Sequence, residues 1–98
     1  MDTKSFFDEN GYIIINNVFS IKEIENFRNE VSNYTNNKKN ILKKNAYGIT
    51  IPDFIKLPEF KTLKNAKNNN IIQEKLTSIF NGTNFRFCSH NDIGINRI

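Results

Sequence analysis

The chain has 98 residues, which is one domain at most and close to the lower limit for a core that stands without staples. A single cysteine excludes an internal disulfide, and the longest apolar run, Tyr12 to Ile15, falls far short of the roughly 20 residues of a membrane span. The opening Met1-Asp-Thr-Lys-Ser-Phe lacks the apolar stretch of a secretory leader, so the expectation is a cytoplasmic protein in a reducing compartment.

Net charge is +4 and unevenly spread: residues 1–37 carry three Lys/Arg against six Asp/Glu, residues 38–98 eleven against four. A basic excess suits a phosphate-bearing partner. The chain is equally rich in Asn, Lys and Ile, however, and drift toward A/T-rich codons accounts for such lysines without a ligand. No repeat and no long linker interrupts it; 36–40 and 68–70 read as solvated loops.

In chain order, Thr3 is placed to cap a short helix over Lys4 to Asn10, with Phe6 and Phe7 inward and Gly11 at the left-handed terminus. Tyr12-Ile-Ile-Ile15 reads as a strand too apolar to have a wet face. Ser20-Ile-Lys-Glu23 is a capping box, flanked by Phe19 and Ile24 as a hydrophobic staple. The stripe Ile21, Ile24, Phe27, Val31 and Tyr34 then predicts an amphipathic helix to about Thr35, with Glu23, Glu25, Arg28 and Glu30 on its solvated face. Lys38 to Asn45 reads as a loop with Ile41 and Leu42 tucked in it, and Tyr47 to Ile51 as a short strand or extended arm stopped by Pro52. Pro58 suits the start of a brief helix turning Phe60, Leu63 and Ala66 inward. Asn70 is placed to cap a further helix, Ile71 to Phe80, closed by Asn81-Gly82. Lys56, Lys61, Lys64, Lys67 and Lys75 decorate this region, but without interleaved aromatics they do not make a nucleic-acid surface.

From Asn84 the period becomes two. Phe85, Phe87, Ile93 and Ile95 share one face of a strand, and Arg86, Cys88, His90, Asp92 and Asn96 the other. His90 is the only histidine. On the residues alone, a single histidine on a strand is an ordinary hydrogen-bonding side chain and H-x-D is a frequent chance pairing. Cys88 beside it lacks a third orienting group for nucleophilic work and reads as a small buried residue. Arg86 and Arg97 carry guanidinium forks suited to a carboxylate or phosphate, a pattern equally met in surface ion pairs.

The order Phe6-Phe7, Asp8, Gly11-Tyr12, Ile13-Ile14-Ile15, Val18-Phe19-Ser20, Glu23-Ile24, Phe27-Arg28 and Glu30-Val31 resembles the amino terminus of the phytanoyl-CoA dioxygenase family. The middle, with Pro58-Glu59-Phe60 and the helix ending at Gly82, is similar to the segment leading into that family's barrel, and Phe85 to Ile98 to its first long strand. The resemblance implies an Fe(II)/2-oxoglutarate oxygenase on a double-stranded β-helix, acting on a small or lipid-like substrate. Iron would there be held by two histidines and a carboxylate, with a basic residue late in the chain for the cosubstrate.

Two placements of the H-x-D pair fit this resemblance. In one, His90 and Asp92 are the pair, since alternate strand residues project to one side about 7 Å apart at the backbone. In the other, Phe85 to Ile98 is the strand before the motif, as Ile93-Gly94-Ile95 suggests, and the motif follows beyond Ile98. The second is adopted, so no residue here is assigned as catalytic, cofactor-binding or metal-ligating.

The expected fold is therefore a single partial α+β domain, a helical and mixed front region (1–83) followed by the first long strand (84–98) of a jelly-roll barrel that these residues leave incomplete. The expected function is that of the front part of such a hydroxylase, not catalytic alone and binding neither Fe(II) nor 2-oxoglutarate tightly. The alternative is a small basic α+β protein that binds an anionic partner. Substrate and oligomeric state are left open.

Overall fold

The computed structural model describes residues 2–38, 44–45, 48–82, 84–88 and 90–96. It has an α+β architecture. The described residues form three α-helices, two short 3₁₀ helices (Phe54–Lys56 and Leu63–Asn68) and a three-stranded antiparallel sheet whose last strand follows the last helix.

Helix α1 spans Thr3–Asn10. Its cap is Asp2, not Thr3: Asp2 has the extended backbone of a cap residue and its carboxylate accepts the Ser5 amide at 2.8 Å. That amide, with the neighbouring charges of the amino terminus and Lys4, holds the Asp2 carboxyl below its ordinary value. Thr3 already has helical geometry, and its hydroxyl accepts from Lys75 Nζ at 3.2 Å instead. Gly11 closes the helix at φ 77°, its amide donating to Phe7 O at 2.7 Å, as the glycine's place in the sequence leads one to expect.

Helix α2 spans Ile21–Lys38, three residues past the expected end. The capping box is complete: the Glu23 amide donates to Ser20 Oγ at 3.1 Å and the Ser20 amide to Glu23 Oε1 at 2.9 Å. Phe19 meets Phe27 edge-on at 5.1 Å between centroids. The predicted stripe is only partly covered, since Phe27, Val31 and Tyr34 are half-buried whereas Ile21 is 81% exposed. The first turn of α2 overhangs the body it packs against.

Strand β1 (Lys44–Asn45) pairs antiparallel with β2 (Gly48–Ile51), placing Lys44 opposite Ile49. On its other side β2 pairs with β3 (Ile93–Asn96), placing Ile51 opposite Ile93 and Gly48 opposite Asn96. The sheet order is β1-β2-β3. The expected loop over Lys38 to Asn45 is thus replaced at both ends by regular structure, and Ile41, Leu42 and Tyr47 lie outside the described residues. Among the described residues, the long strand read from Asn84 onward is laddered only at Ile93–Asn96. The reason is its partner: β2 is four residues long, and Pro52 followed by Asp53 at φ 51° ends it.

Tyr12–Ile15 forms no ladder among the described residues, and Tyr12 and Ile14 are exposed, which corrects the reading of it as a strand without a wet face. Its burial nonetheless alternates, with Tyr12 and Ile14 exposed and Ile13 and Ile15 half-buried. Helix α3 spans Asn70–Phe80 and is capped one residue earlier than its sequence suggests. Asn69 Oδ1 accepts the amides of Ile71 and Ile72, while Asn69 Nδ2 donates to Val18 O at 3.1 Å. Asn81, left-handed at φ 53°, and Gly82 end it as expected.

Pro58 starts no α-helix. It sits in a turn that leads to the 3₁₀ helix Leu63–Asn68 and delivers Phe60 to the centre. Among the described residues only Ile51 and Phe60 are fully buried. Phe60 lies between Tyr34 of α2, at 5.1 Å, and Phe54, edge-on at 5.8 Å. These three rings join the second half of α2, the first 3₁₀ helix and the turn that leads to the second. The α1–α3 pair packs as a second layer beside them.

Candidate functional site

The polar end of the β2–β3 pair is where the sequence's candidate residues meet. Alternation is kept from Phe85 to Ile95 even where no ladder forms: Phe85, Phe87, Ile93 and Ile95 are half-buried, and Arg86, Cys88, His90 and Asp92 are exposed. Exposure of Cys88 overturns its reading as a small buried residue. Arg86 lies at the surface and Arg97 outside the described residues.

His90 and Asp92 do project together, with Nε2 of the imidazole 3.0 Å from Oδ1 of the carboxylate. The same Oδ1 accepts the Asp53 amide at 2.9 Å, and the Phe54 amide donates to Asn91 O, also at 2.9 Å. These two bonds lie past the end of the β2–β3 ladder and pin the Asn91-Asp92 segment to the turn after β2. Asn91 Nδ2 donates to Cys88 O at 2.6 Å.

Asp53 is the residue that sequence reasoning missed. Asp tolerates the left-handed conformation, and its position after Pro52 marks a turn, but nothing local shows that it meets Asp92 thirty-nine positions away. Asp53 Oδ2 pairs with Lys56 Nζ at 2.9 Å, while Oδ1 is enclosed with no well-formed hydrogen bond among the described residues. The Lys56 bond holds the Asp53 carboxyl below its ordinary value against the opposing push of burial, with smaller pulls from the backbone at Asn91 and from His90.

Chemically the cluster offers one imidazole, one carboxylate already accepting at one oxygen, and a second carboxylate tied to a lysine. A facial iron site takes two imidazoles and a carboxylate. The sequence holds one histidine, and no group of three or more His, Cys, Asp or Glu suited to a metal occurs among the described residues. The residues present do not fit a complete iron centre.

The second site-like feature is Glu30, read from the sequence as a solvated side chain. It reaches across to the start of the Leu63–Asn68 helix, accepting the Thr62 amide at 2.8 Å, the Thr62 hydroxyl at 2.6 Å and the Leu63 amide at 2.9 Å. Burial pushes its carboxyl up, but these donors together with Lys61 outweigh it and hold the carboxyl below the ordinary 4.5. Beside this contact an open groove of about 360 Å³ runs between α2 and the 3₁₀ helix, lined by Phe19, Phe27, Lys61 and Asn65 among others.

No helix among the described residues is long and apolar enough to cross a membrane. Comparison of the chain with protein-family models, with curated proteins and with solved structures finds no match.

Proposed function

We propose that this chain is the front part of an Fe(II)/2-oxoglutarate-dependent hydroxylase of the phytanoyl-CoA dioxygenase kind, acting on a small or lipid-like substrate, and that it has no catalysis of its own. Support for the kinship comes from the order of elements: a short capped helix closed at Gly11, an apolar segment, a capping box, an amphipathic helix, Phe60 as central anchor, a helix ending at Asn81-Gly82, and then a period-two stretch. On this reading β2 and β3 are early strands of a double-stranded β-helix, and α1 to α3 flank it.

One observation carries the inability to act alone. His90 and Asp92 converge, yet the chain has no second imidazole to complete the cage. Anaerobic calorimetry of the 98-residue chain with Fe(II), or Mn(II) in its place, plus 2-oxoglutarate is expected to show no binding tighter than about 100 µM. A submicromolar site would overturn the reading. Sequencing the coding DNA past the codon for Ile98 tests the kinship: an H-x-D, a distal histidine and a late basic residue support it, and an immediate stop codon removes it.

A second reading, a basic protein with an anionic partner, has one observation in its favour. Lys64 and Lys67 are three apart in the 3₁₀ helix Leu63–Asn68, where such side chains eclipse and share a line, and Lys61 lies in the turn just before it. Of these, Lys67 also lies 5.8 Å over the Phe87 ring.

A further inference from the structure

Between Lys61 and Lys67 the sequence places no aromatic residue, but the fold brings rings there from further along the chain. Lys67 Nζ lies 5.8 Å over the ring of Phe87. Phe85 and Phe87 share one side of the extended segment, about 7 Å apart at the backbone. The ring of Phe80, at the end of α3, leans on that of Phe85 with centroids 5.7 Å apart and planes at 32°. Phe80 is itself 58% exposed. An open ring is thus linked through Phe85 and Phe87 to a lysine of the 3₁₀ helix.

The charge of this region is one-sided. From 61 to 88 the chain carries Lys61, Lys64, Lys67, Lys75 and Arg86 against Glu74 alone. Neither Lys64 nor Lys67 pairs with a carboxylate among the described residues, whereas Lys61 stands beside the Glu30 carboxylate. Side chains three apart in a 3₁₀ helix eclipse, so Lys64 and Lys67 project in line about 6 Å apart, with the exposed Asn65 and Asn68 in line beside them.

We infer that this face binds single-stranded nucleic acid, with Lys64 and Lys67 on neighbouring phosphates and the open ring of Phe80 stacked on a base. A chain of phosphates carrying flat bases is the partner that uses both features, charges in a line and a free aromatic face. An acidic peptide would use the lysines and leave the ring idle. A bilayer surface would need apolar side chains next to the lysines, and asparagines stand there. The inference rests on the reading of the chain as a basic protein with an anionic partner, and it names that partner.

Fluorescence anisotropy of a labelled oligothymidylate of about 12 nucleotides is expected to show binding by the 98-residue chain with a Kd on the order of 10–100 µM at low salt. The slope of log affinity against log salt should lie near about −1.4, the value for two phosphates of a single strand. Lys64→Gln with Lys67→Gln weakens binding about tenfold and flattens that slope. Lys4→Gln with Lys22→Gln removes the same charge from α1 and α2 and changes affinity less than about twofold. Phe80→Leu weakens binding about fivefold or more at an unchanged salt slope, since stacking releases no counterion, and Phe80→Tyr retains it. The chain has no tryptophan, so Phe80→Trp supplies a single reporter whose emission a stacked base quenches. Equal losses from the two lysine pairs, or Phe80→Trp emission unmoved by saturating oligonucleotide, overturns the inference. Tighter binding to polyglutamate or to phosphatidylserine vesicles also overturns it while leaving the anionic-partner reading standing; binding to none of the three removes both.

Discussion

At the scale of single residues the most consequential contact is the one Glu30 makes with Thr62 and Leu63. A carboxylate at the start of another helix accepts orphan amides and meets the positive end of that helix. Replacing Glu30 by Ala should cost about 1–2 kcal/mol in urea unfolding, by analogy with the loss of a cap, and by Gln roughly half as much. The sign of its pH dependence follows from the depressed carboxyl. The unfolded chain binds the proton more readily, so the contribution is fully present above about pH 4.5 and fades as pH falls through the lower folded value. Unfolding followed between about pH 3 and 6 should show stability rising with pH, and the Glu30→Gln protein should show a flatter acid limb. Glu30 itself was legible as a polar residue off the apolar stripe. Its partner, 32 positions away, was not.

Caps and core anchors belong to the scale of elements. Asn69 both caps α3 and ties it to Val18, so Asn69→Ala should lose about 1–2 kcal/mol and Asn70→Ala less than about 0.5 kcal/mol, a contrast measurable by thermal unfolding. The sequence shows asparagine at 68, 69 and 70; which of them caps depends on where the preceding 3₁₀ turn releases the chain, and that turn was not predicted. Phe60 is the keystone. Truncation to Ala removes a fully buried ring wedged between Tyr34 and Phe54 and should cost about 3–5 kcal/mol, enough to abolish a cooperative transition in a chain with so small a core. Phe60→Leu should keep the transition with a lowered midpoint. The capping box behaves differently because every part of it is local: Ser20 and Glu23 were readable in sequence and met as expected.

For the molecule as a whole, size and surface tell the same story. Its radius of gyration is 16.0 Å, against about 13 Å for a compact domain of this length. Unfolding therefore exposes less new surface than usual. The urea m-value should lie near the bottom of the range of about 1–3 kcal/mol/M. An m-value well above about 1.5 kcal/mol/M at low concentration would show a more closed chain than this one.

The sequence by itself determined the start of α2 at the Ser20-Glu23 box and the ends of α1 at Gly11 and of α3 at Asn81-Gly82, because capping boxes and left-handed terminators act within four residues. It also determined the two-faced pattern of Phe85 to Ile95, since side-chain alternation belongs to the strand itself. Only the tertiary structure decided which apolar stripes find cover, why the last strand is laddered for four residues, and that Asp53 and Glu30 serve Asp92 and Thr62. Those outcomes depend on pairings across more than thirty positions, and such pairings are set by chain geometry and packing, which no local pattern encodes.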